Sequence, residues 1–261
     1  MPKARLIDVS KCIACRACQV ACKQWNNLEA MPTEQSGTYE NPPQLTASTW
    51  IKVEFRERPN EWLFRAHTCM HCTDAGCEQV CPTGAISHRG EVVYIDQDWC
   101  VGCGYCVQAC PFQVPHKDEV SGTARKCIFC IDRITNGQQP ACAKTCPSNA
   151  IQFGERDELL TIAQLRVQTL VTNYGYRSAQ VYGEKELGGL HTLYVLTDRP
   201  AVFGLPEDPR LATSTVGYQW LSGVITAGVI AILPFWLLFR RRDQHNQNHN
   251  EEKSKVGGGT R

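Results

Sequence analysis

The run Cys100-Val-Gly-Cys103-Gly-Tyr-Cys106-Val-Gln-Ala-Cys110-Pro111 decides how this chain folds. Its first three cysteines lie at three-residue intervals, and the fourth follows four residues later, directly before a proline. A tight loop with this spacing can turn three thiolates inward toward one centre. Cys110 lies beyond that turn and points elsewhere, so the run predicts a partner group of cysteines.

The cysteines of the whole chain repeat this organisation. All 16 fall into four groups of four: Cys12, Cys15, Cys18 and Cys22; Cys69, Cys72, Cys77 and Cys81; Cys100, Cys103, Cys106 and Cys110; and Cys127, Cys130, Cys142 and Cys146. In bacterial ferredoxins, three cysteines of such a run bind one [4Fe-4S] cluster and the fourth binds the neighbouring cluster. The sequence therefore predicts four [4Fe-4S] clusters as cofactors, with iron bound through these cysteines.

The loops between the groups predict how the groups pair. After Cys81 the chain contains a turn, a short strand, a turn at Gly90 and a second short strand, which is the usual link between the halves of a two-cluster ferredoxin. The second and third groups therefore form an inner unit. The first and fourth groups close around it as an outer unit, so that two two-cluster modules are nested.

The crossover of the fourth cysteine predicts four ligand sets. Set 1 is Cys12, Cys15, Cys18 and Cys146; set 2 is Cys22, Cys127, Cys130 and Cys142; set 3 is Cys69, Cys72, Cys77 and Cys110; set 4 is Cys81, Cys100, Cys103 and Cys106. The clusters that these sets would bind are called clusters 1 to 4. No catalytic residue is predicted, and we expect electron transfer without substrate chemistry in this chain.

Other uses of the cysteines match the pattern less well. Structural zinc is usually bound by two separated Cys-x-x-Cys pairs, and cysteines three residues apart rarely reach disulfide geometry. Covalent haem needs a Cys-x-x-Cys-His run, which the sequence lacks. His67 and His71 flank Cys69, and we interpret them as hydrogen-bond donors beside a cluster or as surface residues, not as ligands.

Length and charge limit the class of protein. The chain has 261 residues, of which 43% are hydrophobic, and a formal net charge of +1. It can therefore bury one or two modest cores, and it is not a globally basic nucleic-acid binder. Two interpretations of its clustered basic residues stay open, compensation for the anionic clusters or an ordinary solvated face: Arg125, Lys126, Arg133 and Lys144.

The first 155 residues are predicted to form a four-cluster ferredoxin-like domain of the α+β class. Its outer unit comprises residues 1–30 and 120–155, its inner unit residues 66–119, and an insertion hairpin residues 31–65. Alternating apolar residues predict strands at Trp50–Phe55 and Glu61–Arg65, with a turn at 58–60.

Residues 156–198 are predicted to cover this domain with a helix and a strand. The helix is expected at Arg156–Tyr174, with Asp157 as its N-cap and Gly175 as its stop. The strand is expected at Leu193–Leu196. Residues 199–215 are rich in proline and are predicted to be an extended linker.

Residues 216–240 are predicted to form one C-terminal transmembrane helix, followed by a polar tail at 241–261. The 19 residues of Leu221–Phe239 would rise about 29 Å, which matches a bilayer core of about 30 Å. Arg240–Arg242 follow, so the positive-inside rule places the tail in the cytoplasm and the cluster domain in the periplasm. The N-terminus has no signal peptide or twin-arginine pair, so we expect a partner to carry the folded chain across.

The chain resembles the iron–sulfur β subunit of membrane-bound formate dehydrogenases. The residues that carry the resemblance are Leu6-Ile-Asp-Val-Ser10, Cys18-Gln-Val-Ala-Cys22, Cys69-Met-His-Cys72, Pro140-Ala-Cys142, Lys144-Thr-Cys146-Pro147, Gly175-Tyr176, Val181-Tyr182, Gly188-Gly189, Tyr194-Val-Leu196 and Gly204-Leu-Pro206. The resemblance implies a heterotrimer in the inner membrane: a molybdenum or tungsten subunit that oxidises formate, this chain, and a cytochrome b that reduces quinone. It also implies that the catalytic subunit carries a twin-arginine signal and lies nearest cluster 1.

Two alternatives are kept. Similar four-cluster patterns occur in electron-transfer subunits of some hydrogenases and of nitrate, dimethyl sulfoxide and polysulfide reductases. A membrane-tethered zinc protein is the alternative from a different class. From the resemblance, we expect the partners to be a catalytic subunit, a cytochrome b subunit and the lipid bilayer. We do not expect the chain to bind nucleic acid.

Overall fold

A computed structural model of the chain describes residues 2–34, 37–58 and 61–256, in two units, Met1–Thr213 and Ser214–Arg261. The strands in these described ranges are β1 (Lys3–Asp8), β2 (Ile51–Arg58), β3 (Glu61–Thr68), β4 (Ile86–Arg89), β5 (Val92–Ile95), β6 (His116–Lys117), β7 (Ala124–Arg125), β8 (Ile151–Glu155), β9 (Gln180–Tyr182) and β10 (Thr192–Leu196). The α-helices are α1 (Ala17–Trp25), α2 (Gly76–Gln79), α3 (Tyr105–Ala109), α4 (Ile131–Thr135), α5 (Ala141–Lys144), α6 (Arg156–Tyr174) and α7 (Val216–Val256).

The largest sheet joins segments that are far apart in the sequence. Its strand order is β8-β1-β10-β9, and β1 pairs parallel with β10 and antiparallel with β8. All five residues of β10 are buried. Tyr194 packs with the core around the cysteines, whereas Leu193 packs with α6 on the opposite face. The strand expected in the covering segment therefore lies inside the sheet, because both of its faces are apolar.

The helix α6 covers one face of this sheet at the bounds expected from the sequence. Its buried residues are Leu159, Ala163 and Leu170. Gly175 ends the helix with φ 74°, and its N–H donates to the carbonyl oxygen of Leu170. The N-cap prediction is wrong: Glu155, the last residue of β8, holds that position because the strand leads directly into the helix. Asp157 lies in the first turn, where its charge still favours the helix N-terminus.

Two predicted hairpins are present. The strands β2 and β3 pair antiparallel from Ile51 opposite Thr68 to Arg58 opposite Glu61. Both strands are longer than expected because the ladder continues where the apolar alternation fades. The predicted turn residues 59 and 60 lie outside the described residues. The link between the inner cysteine groups is the hairpin β4–β5, with Gly90 at φ 64°.

The proline-rich segment is not extended throughout. A 3-10 turn spans Pro200–Phe203, and the side chains of Phe203 and Leu205 are buried. Both residues join the core around the cysteines. The prediction of an extended linker is therefore wrong for this part, because its apolar side chains gain more from burial than from exposure.

The second unit contains α7. Its stretch Trp220–Asp243 has a mean hydropathy of 2.2, and none of it is buried against the protein. Length and composition therefore suit a membrane anchor. The helix contains Pro234 and continues to Val256. Residues 241–256 of the predicted polar tail are therefore helical.

Candidate iron–sulfur cluster sites

The four thiols of set 4 line one cavity. The residues around it include Cys81, Cys100, Gly102, Cys103, Gly104 and Cys106. Cys103 is exposed, whereas Cys106 is buried. The ring of sulfurs therefore suits a cluster close to the protein surface.

Glycines shape the loop that carries set 4. Gly102 has φ 64°, and a Cβ atom there would lie 1.8 Å from the carbonyl oxygen of Gly122. Gly104 has φ 78° and immediately precedes α3. Because α3 begins directly after it, Cys106 lines the cavity and Cys110 lies at the end of the helix.

The thiols of set 1 line a second cavity. Cys12, Cys15, Cys18 and Cys146 line it together with apolar neighbours. Cys15 is exposed. Two non-glycine residues of this loop, Ala14 and Arg16, adopt φ 56° and 60°. Such a backbone costs about 1–3 kcal/mol per residue, and here it bends the loop around the cavity before α1 begins.

The thiols of set 2 meet in the interior. All four are buried. Burial raises the pKa of Cys22 well above its usual range, and repulsion from Cys127, Cys142 and Cys130 raises it further. Because thiolates must form to bind iron, a cationic metal centre would relieve this repulsion.

The thiols of set 3 also face one another. Burial raises the pKa of Cys72 well above its usual range, and Cys69, Cys110 and Cys77 add electrostatic repulsion in that order. Cys69 is buried and the other three are half-buried. The thiols of sets 1 and 4 thus each line one cavity, and those of sets 2 and 3 repel one another electrostatically.

Electrostatic repulsion between thiols of different sets is consistent with the four sets lying in a row. In each pair, burial is the larger cause of a raised pKa and the thiol of the next set adds to it. The pairs are Cys18 with Cys142, Cys69 with Cys127, and Cys77 with Cys106. They join set 1 to set 2, set 2 to set 3, and set 3 to set 4.

Backbone donors contact several thiols. The N–H of Ala124 donates to Cys100 Sγ at 3.3 Å, and that of Phe129 donates to Cys127 Sγ at 3.4 Å. At Cys81, burial would raise the pKa, but hydrogen bonds from residues 83–86 outweigh it and lower the pKa. These donors favour the thiolate, which is the form that binds iron.

The arrangement fits [4Fe-4S] clusters better than single ions. Within residues 2–34, 37–58 and 61–256, no three Cys, His, Asp or Glu side chains converge closely enough to hold one metal ion. A tetrahedral zinc site needs four ligands within about 2.3 Å of one point. The sulfurs of sets 1 and 4 instead ring cavities, as ligands at the corners of a cube would.

The rings of His67 and His71 bind other groups than sulfur. His67 lies 3.1 Å from Glu54 through Nδ1 and 3.0 Å from the carbonyl oxygen of Phe112 through Nε2. His71 is buried, and its Nδ1 accepts from the N–H of Val93 at 3.2 Å. Neither is a surface residue, so that part of the interpretation is wrong; both rings connect backbone segments around the cysteines.

Only part of the basic group is near the thiols, and one basic residue was missed. Lys126 is 2% exposed, whereas Lys144 is exposed. The residue that sequence reasoning missed is Arg5, which is 1% exposed in β1 and donates from Nη1 to Cys142 Sγ at 3.3 Å. The available signal was an arginine between the apolar residues Ala4 and Leu6.

Known protein families match the cysteine-rich part of the chain. Two family profiles, each described as a 4Fe-4S dicluster domain, match residues 60–156 and 11–85. Together they include all 16 cysteines, which is consistent with four clusters. The prediction of two-cluster ferredoxin modules in an α+β fold with one long apolar C-terminal helix is confirmed.

Curated relatives cover most of the chain. It is 42% identical over 238 residues to the iron–sulfur subunit of the nitrate-inducible formate dehydrogenase of Escherichia coli (87% of this chain, 81% of the relative). It is 39% identical over 268 residues to the formate dehydrogenase-O iron–sulfur subunit of the same organism (97% and 89%). It is 43% identical over 221 residues to the formate dehydrogenase iron–sulfur subunit of Haemophilus influenzae (81% and 70%). The resemblance drawn from the motifs is thereby confirmed, and the chain belongs to the family of formate dehydrogenase iron–sulfur subunits.

Proposed function

We propose that the chain conducts electrons through four [4Fe-4S] clusters, from a molybdenum or tungsten subunit that oxidises formate to a membrane cytochrome b that reduces quinone. The observation that supports this proposal is that sets 1 and 4 each have an exposed thiol, whereas sets 2 and 3 have none. Cys15 of set 1 and Cys103 of set 4 are exposed, whereas set 2 is entirely buried. Sets 1 and 4 are therefore the places where a partner's redox centre can come closest to a cluster.

Each set would bind the cluster of its own number. When bound, such a cluster accepts and releases one electron at a potential set by its surroundings. The chain supplies the thiolate ligands, the N–H donors to sulfur and the burial that excludes water. Two helices provide short covalent links. Helix α1 carries Cys18 of set 1 and Cys22 of set 2, and α3 carries Cys106 of set 4 and ends at Cys110 of set 3.

Exposed apolar residues surround both ends of the row. Trp99, Val101 and Tyr105 flank set 4, and each exposes more than half of its surface. Ile13 and Val20 do the same beside set 1, at 61% and 63%. Apolar groups at these positions suit protein partners that bring their own redox centres close. By the family pattern, the set 1 end faces the catalytic subunit and the set 4 end faces the cytochrome b.

The helix α7 would anchor the chain with its tail in the cytoplasm and its cluster domain in the periplasm. The charges Arg240–Arg242 at the end of the apolar stretch support this orientation. Alkaline phosphatase fused after Arg242 should be inactive, while a fusion after Arg210 should be active. Activity of the first fusion would contradict the orientation.

Purification of the complex from membranes tests the function. We expect a tagged chain to copurify with a molybdenum or tungsten subunit and a cytochrome b, and to carry about sixteen irons, four in each cluster. Formate should reduce its clusters, and quinone should reoxidise them. Copurification with a hydrogenase or with a dimethyl sulfoxide, polysulfide or nitrate reductase would contradict formate as the donor. Stoichiometric zinc without acid-labile sulfide would contradict the clusters.

A further inference from the structure

Two buried cations lie between sets 2 and 3. Arg5 is 1% exposed and Lys126 is 2% exposed. In the part of the chain that the structure describes, neither forms an ion pair with an Asp or Glu side chain. Buried charges are stable only when they are paired. Besides the phenol of Tyr194, whose pKa burial raises to about 12, the groups near Arg5 that can carry negative charge are the thiolates of Cys142 and Cys127 in set 2.

Arg5 connects the two sets directly. Its Nη1 donates to Cys142 Sγ of set 2 at 3.3 Å. Its Nη2 donates to the carbonyl oxygen of Cys69 in set 3 at 3.2 Å and to Thr192 Oγ1 at 2.9 Å. Its guanidinium lies over the ring of Phe129, with 5.1 Å between Cζ and the ring centroid. The position is thus held by groups from both sets and from β10.

Lys126 approaches the junction from the other side. Its Nζ donates to the carbonyl oxygen of Val93 and, at 3.3 Å, to that of Cys127, a member of set 2. Its positive charge opposes the raised pKa of every thiol of set 3: Cys69, Cys72, Cys77 and Cys110. Lys126 therefore acts electrostatically on all of set 3 while its ammonium group is hydrogen-bonded to the backbone of Cys127 in set 2.

We propose that Arg5 and Lys126 are the counter-charges of the two middle clusters and raise their reduction potentials, Arg5 mainly that of cluster 2 and Lys126 mainly that of cluster 3. The proposal rests on the ligand sets of the proposed function. A fixed positive charge in a low-dielectric interior stabilises the form of a cluster that holds the additional electron. The negative charge that an electron adds to a cluster is then best balanced at the junction between the outer and inner modules, where both cations lie.

Redox titration of the intact complex, followed by EPR, tests the two cations separately. Lys126→Met should lower the midpoint potential of cluster 3, and Arg5→Met should lower that of cluster 2. The reduction equilibrium constant should fall about tenfold, or about 59 mV for one electron. Lys23→Met is the matched control, because Lys23 also adjoins a ligand, Cys22, but is only half-buried and bonds to the carbonyl oxygens of Glu29 and Ser48. Lys23→Met should change the reduction equilibrium constant of each cluster less than threefold.

Unchanged potentials in both variants would overturn the proposal, as would an equal shift in Lys23→Met. If Arg5→Met or Lys126→Met loses iron, the charge-retaining variants Arg5→Lys and Lys126→Arg provide the second test. A full iron content in these variants supports the proposal, and loss of iron from them overturns it. Failure of the proposed function itself would appear differently. The unsubstituted complex would then lack sixteen irons, or its clusters would not be reduced by formate.

Discussion

The Cβ position of Gly102 lies 1.8 Å from the carbonyl oxygen of Gly122. Gly102 belongs to the loop of set 4, and Gly122 belongs to the connection between β6 and β7. The two segments can approach this closely only because Gly102 has no side chain. The contact thus makes the loop of set 4 depend on a connection twenty residues further along the chain.

We expect Gly102→Ala to lower the iron content of the set 4 site, because the loop or the β6–β7 connection must move. Gly104→Ala is the matched control: Gly104 also has positive φ, 78°, but nothing lies within 4 Å of its Cβ position. Gly104→Ala should lower the free energy of unfolding by only about 1–2 kcal/mol, because alanine disfavours a left-handed backbone. Iron analysis and thermal unfolding compare the two variants, and equal loss in both would contradict the prediction.

The crossover of ligands can be tested with Cys106, which lies in α3, and Cys110, which follows it. Cys110→Ala should remove a ligand from cluster 3 and perturb its EPR signal, because the set 3 thiols raise one another's pKa. Cys106→Ala should instead perturb cluster 4, since Cys106 lines the cavity of set 4. If both substitutions altered the same signal, the assignment of sets 3 and 4 would be wrong.

Glu54 predicts a pH dependence of stability. Burial would raise its pKa, but the hydrogen bond to His67 and the charge of Arg65 outweigh burial and lower the pKa to about 2. A carboxyl whose pKa is lower in the folded state stabilises the fold above its unfolded pKa of about 4.5 and loses this effect as the pH falls toward 2. The difference corresponds to about 3 kcal/mol at neutral pH.

Glu54→Gln should therefore reduce the free energy of unfolding by about 3 kcal/mol between pH 7 and pH 5, and by less below pH 4.5. Denaturant unfolding at several pH values measures this. Glu57→Gln, at an exposed position on the same strand, should change stability by less than about 0.5 kcal/mol. A pH-independent effect of Glu54→Gln would contradict the role of its ionised carboxyl.

The division into two units predicts that the cluster domain keeps its iron without the apolar helix. A chain that ends at Thr213, produced without partner subunits, should appear in the soluble fraction with about sixteen irons. The full chain should appear in the membrane fraction, because the stretch Trp220–Asp243 is long and apolar enough to span it. Membrane association of the shortened chain, or loss of its iron, would contradict this.

Features with a local cause could be predicted. The hairpin at Gly90, the helix Arg156–Tyr174 and its stop at Gly175 follow from periodicity and turn residues within a few positions. The predicted N-cap at Asp157 was wrong because β8 leads directly into the helix, so that Glu155 is the N-cap. The predicted extended linker was wrong in part because the side chain of Phe203 is buried in the core.

The sequence by itself determined the four cysteine groups and the apolar C-terminal helix, because ligand spacing and hydropathy are properties of contiguous residues. Only the tertiary structure placed β10 between β1 and β9 and brought thiols of different sets close enough to repel one another. It also brought Arg5 against Cys142, 137 residues away. No local pattern encodes such a contact, since it exists only where a buried strand and a distant cysteine loop are packed together.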